Sequence, residues 1–361
     1  MKTNRRVTLG ARPEGFPRDS DFQVEETEVG EPGPGEVLVR VLWVSVDPYQ
    51  RGRMSQTRSY AKSLEVGDVI TSQSLGEVVE SQDGRYPPGD LVIGQLGWQE
   101  YAIVRGGTLR NVPAFLDPPT LALHVVGMTG MTAYFGLLDV GQPKPGDTVV
   151  VSGAAGAVGQ VVGQIAKLAG CRTVGIAGGP DKCTDCTLYG YDVAIDYKEE
   201  GFRDELKAAC PDGVDVYFDN VGGEVSGIVH NRLNVGSRIV ICGQISQYNL
   251  ERPSPTFHPG LLIVYRARME GVLVTDYAHR FDEAATRLAR WVADGDIVWR
   301  EDVTEGLENT RPRSWACSAA KTAAKPSSRL RTAARVRRAS NKLLLAFGPQ
   351  RRRVGTPTPD N

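Results

Sequence analysis

Residues 148–159 read Thr-Val-Val-Val-Ser-Gly-Ala-Ala-Gly-Ala-Val-Gly. The first five form the β-branched run of a fully buried parallel strand. Glycines at 153, 156 and 159 make a turn, and Val158, Val161, Val162, Ile165 and Leu168 recur behind it at helical spacing. Strand, glycine turn and helix in this order are the context in which such a turn holds a dinucleotide pyrophosphate. Glycine lets the backbone approach the anion, and N–H groups at the helix start bind it. The spacing is GxxGxxG rather than GxGxxG, and glycines alone also serve ordinary turns, so the flanking elements carry the reading.

Working outward, Arg172–Ala177, Asp192–Asp196, Val214–Asp219 and Ser237–Cys242 read as further buried strands, with helical stretches between most of them. Alternating β and α units predict an α/β fold with a doubly wound parallel sheet. Phe281–Ala293 reads as an amphipathic helix stopped near Gly295. The first 124 residues differ in character. Strands beginning at Glu36, Gly76 and Asp90, bounded by glycine and proline, predict an all-β region with irregular loops. The expected boundaries are 1–124 for the β-domain and 125–284 for the nucleotide-binding domain.

The composition is that of a soluble globular chain, with 41% hydrophobic and 24% charged residues. No apolar run approaches the roughly 18 residues that span a bilayer. No signal-peptide core follows the basic start, so a cytoplasmic protein is expected. Six cysteines, at 171, 183, 186, 210, 242 and 317, lack disulfide spacing. Cys183-Thr-Asp-Cys186 has the spacing of a redox pair or half a zinc site, but no second pair completes it, and two small residues on a helix explain it equally well. The four histidines have no ligand or triad spacing and are expected on the surface or in loops. Charge is uneven. Residues 311–361 hold thirteen Lys/Arg and one acid, against 29 bases and 42 acids in the first 310 residues. A nucleic-acid-binding arm is one explanation of that tail.

The second strand of the series indicates which dinucleotide is bound. NAD-specific folds place an acid at its end for the ribose 2′-hydroxyl. Here it runs into Ala177-Gly-Gly-Pro-Asp-Lys182. An acid followed at once by lysine favours a 2′-phosphate, although a solvated surface lysine has the same spacing.

Several stretches together resemble one family: Ser45-Val-Asp-Pro-Tyr-Gln-Arg-Gly-Arg-Met54, Gly97-Trp-Gln-Glu-Tyr101, Gly127-Met-Thr-Gly-Met-Thr-Ala-Tyr134, the glycine turn, Tyr217-Phe-Asp-Asn-Val-Gly-Gly223, Cys242-Gly-Gln-Ile-Ser-Gln-Tyr-Asn249 and Arg268-Met-Glu-Gly271. Over residues 5–310 the chain is similar to the zinc-free medium-chain dehydrogenases/reductases, in the branch of prostaglandin, alkenal double-bond and curcumin reductases. The resemblance implies a GroES-like β-domain carrying a Rossmann domain, with the chain returning to the first domain over about 285–310. It implies NADPH as cofactor and a homodimer. It places Gly153, Gly156, Ala157, Val158 and Gly159 at the pyrophosphate, and Lys182 and Tyr197 at the 2′-phosphate. Asn220, Cys242, Gly243, Ile245 and Ser246 match the nicotinamide-ribose wall, and Val272, Leu273 and Val274 match the segment meeting the carboxamide. Zinc-using relatives need a cysteine ligand early in the first domain, and this chain has none before Cys171, so no metal is expected.

The resemblance also implies the chemistry. Hydride delivered to the β-carbon of an enone or enal leaves negative charge on the carbonyl oxygen, which one placed donor stabilises. Tyr248 matches that donor, and Tyr49 matches a residue lining the substrate pocket or fixing its loop. Quinone reduction on the same scaffold is the second enzymatic expectation. The family ends in Ala-Phe-Leu-Gly-Leu-Leu-Arg-Gly-x-Asn-x-Gly-Lys-x-Val-Val, where this chain has Arg313-Ser-Trp-Ala-Cys-Ser-Ala-Ala-Lys-Thr-Ala-Ala-Lys-Pro-Ser-Ser328. A GC-rich coding sequence chosen for Pro312–Ser328, read from its third nucleotide, yields Ala-Phe-Leu-Gly-Leu-Leu-Arg-Gly-Lys-Asn-Arg-Gly-Lys-Ala-Val-Val. The expectation is a frameshift near Arg311, an aberrant and poorly ordered basic tail over 311–361 with no nucleic-acid partner, and a third outcome in which coenzyme binds but turnover is lost.

Overall fold

Thr148–Ser152 is buried along its whole length, and it is the central support of a six-stranded parallel sheet. The computed structural model describes residues 2–57, 59–252 and 257–310, and the backbone of Lys325–Arg329. The sheet order is Val193–Asp196, Arg172–Ala177, Thr148–Ser152, Val214–Asp219, Leu233–Ile241, Arg268–Gly271. Every pairing in it is parallel. From Thr148–Ser152 the chain winds outward on one side through two strands, then returns to build three on the other. The reversal point therefore lies between Thr148–Ser152 and Val214–Asp219. In open parallel sheets that is where ligands settle, beyond the carboxyl ends of the strands.

The helices that cover this sheet follow the expected spacing. Gly159–Leu168 buries Val161, Val162 and Ile165, and Phe281–Ala293 keeps the bounds read from its sequence. One strand is longer than expected, beginning at Leu233 rather than Ser237. Its register against Val214–Asp219 shifts, with Val214 opposite Leu233 and Val216 opposite Arg238. Gly236, at φ +81°, lies in that irregularity. A glycine that reads as a boundary is here part of a bulge.

The other sheet is mostly antiparallel. Glu36–Ser45 is its spine, flanked by Gln73–Ser81 and Tyr101–Arg105, with Leu91–Gln95 and Arg110–Asn111 beyond. Thr3–Leu9 and Phe22–Glu28 form a separate hairpin. Val7, Val39, Val41, Val44, Ile70, Leu96 and Trp98 fill the core of this half and are buried. The architecture is a GroES-like β-domain joined to a Rossmann α/β domain. Glu301–Glu305 also joins the antiparallel sheet, through the backbone of Lys325–Arg329, which pairs in parallel with it and antiparallel with Glu36–Ser45. The remainder of the basic tail, and with it the expectation of poor order, lies outside the described residues.

Candidate functional site

The expected coenzyme residues are scattered over more than a hundred positions in sequence, yet each group follows the carboxyl end of a strand in the parallel sheet. Tyr197 follows Asp196, and Lys182 lies on the helix after Ala177. Gly153–Gly159 follows Ser152, and Asn220 follows Asp219. Cys242–Ser246 follows Ile241, and Val272–Val274 follows Gly271. The six carboxyl ends are one edge of one sheet, so the topology brings the groups together.

The glycine turn requires its glycines. Gly153 has φ +62°. A Cβ on Gly159 would stand 2.3 Å from the Gly153 carbonyl oxygen and 2.7 Å from the Ala154 Cα. Both obstacles are backbone and cannot yield cheaply. Among the described residues no side chain caps the helix that follows at Val158, and the Gln160 N–H donates to the Gly156 carbonyl at 2.9 Å. These features fit a pyrophosphate cradle.

Next to it, Gly178 packs so closely on Tyr197 that an added Cβ would meet the ring at 2.7 Å. The Tyr197 N–H donates to the Ala177 carbonyl at 3.0 Å. Gly179, at φ +101°, starts the helix Pro180–Leu188 that carries half-buried Lys182. Lys182 and Tyr197 thus both lie near the end of the second strand, where the resemblance expects the 2′-phosphate.

One residue that organises the expected site escaped the sequence reading. Asp219 is buried and accepts hydrogen bonds from Ser152 Oγ at 2.8 Å, Tyr217 Oη at 3.0 Å, Ser226 Oγ at 2.6 Å and the N–H groups of Val221 and Gly222 at 2.9 Å each. Its carbonyl accepts from the N–H groups of Cys242 and Gly243. Asn220 is bound in turn to Ser152, through its N–H to Oγ at 3.0 Å and its Nδ2 to the carbonyl at 2.8 Å. A single residue, through its carboxylate and its backbone carbonyl, therefore ties together three of the segments expected at the coenzyme. Its place within Tyr-Phe-Asp-Asn-Val-Gly-Gly was the available signal.

The segment after Ile241 folds back on the same support. Ile245 N–H donates to the Asn220 carbonyl, and Ser246 donates twice to that of Val221. Tyr248 Oη accepts from the Gln244 N–H at 3.2 Å and would lie 3.2 Å from a Cβ on Gly243. Burial raises its phenol above the ordinary value, with Cys242, Tyr60 and Asp219 adding to the shift. Tyr248 is therefore held protonated, as a hydrogen-bond donor must be. Val272 N–H donates to the Ile241 carbonyl, and Val274 is buried behind it.

From the β-domain, Tyr49 opens the one-turn helix Tyr49–Arg53. Burial first, then Asp47, raises its phenol far above the ordinary value, with Gln95 beside it. Exposed Tyr60 is the shared neighbour, within electrostatic range of Tyr49, Tyr248 and Cys242. Tyr60 thus neighbours both Tyr49 and Tyr248.

The remaining candidates take structural places. Cys183 and Cys186 lie on the helix Pro180–Leu188. Cys186 is fully buried, and burial pushes its thiol up to about 12, the reverse of an activated thiolate. Two histidines depart from expectation, because His124 and His230 are buried. Both lie where the coenzyme domain packs, a position that spacing alone does not reveal. Among the described residues, no group of three or more His, Cys, Asp or Glu side chains is arranged to hold a metal ion.

Two family models match, the N-terminal domain of oxidoreductase over residues 5–112 and zinc-binding dehydrogenase over 157–290. NADPH-dependent curcumin reductase of Escherichia coli is 44% identical over 313 residues, covering 85% of this chain and 91% of that protein. The NADP(+)-dependent 2-alkenal reductase of Nicotiana tabacum is 40% identical over 314 residues, covering 85% and 92%. The crystal structure of CurA from Vibrio vulnificus in complex with NADPH matches with TM-score 0.86 and 39% identity, over 91% of this chain and 99% of that one.

Proposed function

Because the chain belongs to the medium-chain dehydrogenase/reductase family, in the group of NADP-dependent curcumin and 2-alkenal reductases, we propose that it reduces the C=C bond of α,β-unsaturated aldehydes and ketones with NADPH. The observation that carries this is Tyr248, a protonated phenol standing on the same sheet edge as the glycine turn, Asn220 and Val272–Val274. When bound, NADPH supplies the hydride that adds to the β-carbon. Gly153–Gly159 hold the pyrophosphate, and Lys182 with Tyr197 select the 2′-phosphate. Asn220, Cys242, Gly243, Ile245 and Ser246 line the ribose. Val272, Leu273 and Val274 meet the carboxamide through their backbone. Tyr248 Oη donates to the substrate carbonyl as negative charge develops there, and it supplies a proton at the α-carbon directly or through water. Tyr49 packs against the substrate. A phenol donor suffices for conjugate reduction, and with no cysteine before Cys171 the reaction is assigned as zinc-independent. The test is NADPH oxidation with a panel of enals, enones and quinones. Turnover of enals with NADPH and not NADH supports the reading, and turnover of quinones alone replaces it with the quinone reductase.

The protein acts as a homodimer in this reading. Gly260-Leu-Leu-Ile-Val-Tyr265 is an apolar helix with no buried residue, and Ile263 is 81% exposed. It packs beside Leu233–Ile241, whose neighbour Arg268–Gly271 is the sheet's edge strand. An exposed apolar helix next to an open edge suits a second copy of the same chain.

A second reading, of a protein that binds coenzyme without turnover, rests on the chain's end. Lys325-Pro-Ser-Ser-Arg329 occupies an interior position of the antiparallel sheet. Interior strands are normally apolar and exclude proline, which has no N–H for the ladder. Likeness in sequence to the curated relatives covers 85% of the chain, whereas likeness in fold covers 91%. Both observations support replacement of the native ending by out-of-frame residues. Sequencing the gene tests it: codons whose second frame cannot encode the family ending overturn it.

A further inference from the structure

Tyr49 and Tyr248 stand on segments of different domains, and one buried side chain joins those segments. Arg51 is only 8% exposed. Its Nε donates to Asn249 Oδ1 at 3.1 Å, and its Nη2 donates to the carbonyls of Pro13 at 3.2 Å and Gly15 at 3.1 Å. Arg51 follows Tyr49 by two residues on the helix Tyr49–Arg53, and Asn249 directly follows Tyr248. The bond therefore spans from the segment bearing Tyr49 to the segment bearing Tyr248.

Each end is anchored independently. On the β-domain side, Gln50 is fully buried. Its Oε1 accepts the Asp47 N–H at 2.9 Å, and its Nε2 donates to the carbonyls of Ser45 at 3.1 Å and Thr71 at 2.7 Å. On the coenzyme side, the turn leading to Tyr248 hangs from the carbonyls of Asp219, Asn220 and Val221. With both ends fixed, the Arg51 fork bridges two anchored segments. Its Nε and Nη2 are thus spent on oxygen acceptors of the protein. Arginine suits this task because its planar donors reach several acceptors at once from a fixed geometry.

We propose that Arg51 and Asn249 form a latch that fixes Tyr49 and Tyr248 at working separation, so that Arg51 and Asn249 are positioning residues for the reduction. The proposal deepens the double-bond reductase reading and rests on it for its kinetic consequence. Misplacing a reacting group by an ångström lowers a rate by up to about a hundredfold, so a loosened latch lowers kcat rather than coenzyme affinity.

The test uses the full chain with NADPH and a short enal. Asn249→Ala leaves Arg51 its two carbonyl partners and is expected to fold. It should lower kcat about tenfold, an effect within that range, while NADPH affinity by fluorescence titration stays within about twofold. Asn249→Asp keeps Oδ1 and should restore most of the rate. Arg51→Ala combined with Asn249→Ala should be no slower than Arg51→Ala alone. Hydrogen exchange gives a readout independent of turnover: Asn249→Ala should speed exchange in both 13–15 and 244–250. Unchanged kcat with unchanged exchange overturns the latch. If the wild-type chain reduces no enal, the reductase reading fails, and the exchange result alone decides whether the two segments are coupled.

Discussion

Tyr248 illustrates how one residue's environment selects its chemistry. Burial holds its phenol above the ordinary value of 10.0, so the donor form persists through neutral pH. The rate profile is expected to stay flat from pH 6 to about 9 and to lose its donor only above the free-tyrosine range. Tyr248→Phe removes the donor and should lower kcat about 10²-fold, the usual scale for one lost oxyanion donor, with NADPH binding retained. An unchanged kcat in the phenylalanine variant removes Tyr248 from the mechanism. His230 makes a second residue-scale case. Its ring lies edge-on to Tyr217 and Phe257, and among the described residues neither ring nitrogen has a hydrogen-bond partner. Burial lowers its pKa below 6.5, partly offset by Asp219. The unfolded chain then binds the proton more readily, so this stabilising contribution is present above pH 6.5 and is lost as pH falls below it. His230→Phe should flatten that acid limb in melting curves taken from pH 7 to 5. The same limb in both proteins assigns the acid sensitivity to other groups.

At the scale of elements, the glycine turn and the Asp219 hub act as one unit. Gly159→Ala drives a Cβ into the Gly153 carbonyl. It is expected to displace the turn, weakening NADPH binding at least tenfold with a smaller loss in Tm, measured by titration and calorimetry. Asp219→Asn replaces one acceptor oxygen with a donor among five donors. Each buried donor left unmatched costs about 1–3 kcal/mol, so Tm and coenzyme affinity should fall together. Elements of this kind were legible in sequence wherever period and turn chemistry agreed, as in Thr148–Ser152, Val214–Asp219 and Phe281–Ala293. The strand from Leu233 is longer than its β-branched and apolar run, and the register shift at Gly236 is visible only against its partner strand. Asp219 was passed over because its partners lie 67 residues away at Ser152 as well as nearby.

For the whole molecule, surface and terminus are the points at issue. Ile263→Asp places a charge on the exposed helix Gly260–Tyr265. It should convert a dimer to a monomer in analytical ultracentrifugation, and a wild-type monomer excludes the proposed interface. Restoring the alternative frame after Thr310 should raise Tm, because an apolar strand would replace Lys325-Pro-Ser-Ser-Arg329 beside Val44 and Ser45.

The sequence by itself determined the parallel sheet, the glycine turn and the coenzyme class, because period, turn residues and strand-end residues are local properties. It also exposed the mismatch of the tail, since composition and strand propensity are written residue by residue. Tertiary structure alone decided which distant segments meet. Six strand ends become one coenzyme edge because winding reverses between Thr148–Ser152 and Val214–Asp219. Arg51 reaches Asn249 across 198 positions because the fold brings segments of two domains side by side. Hydrogen bonds at such separations leave no periodic trace in a chain, and they set the distance between Tyr49 and Tyr248.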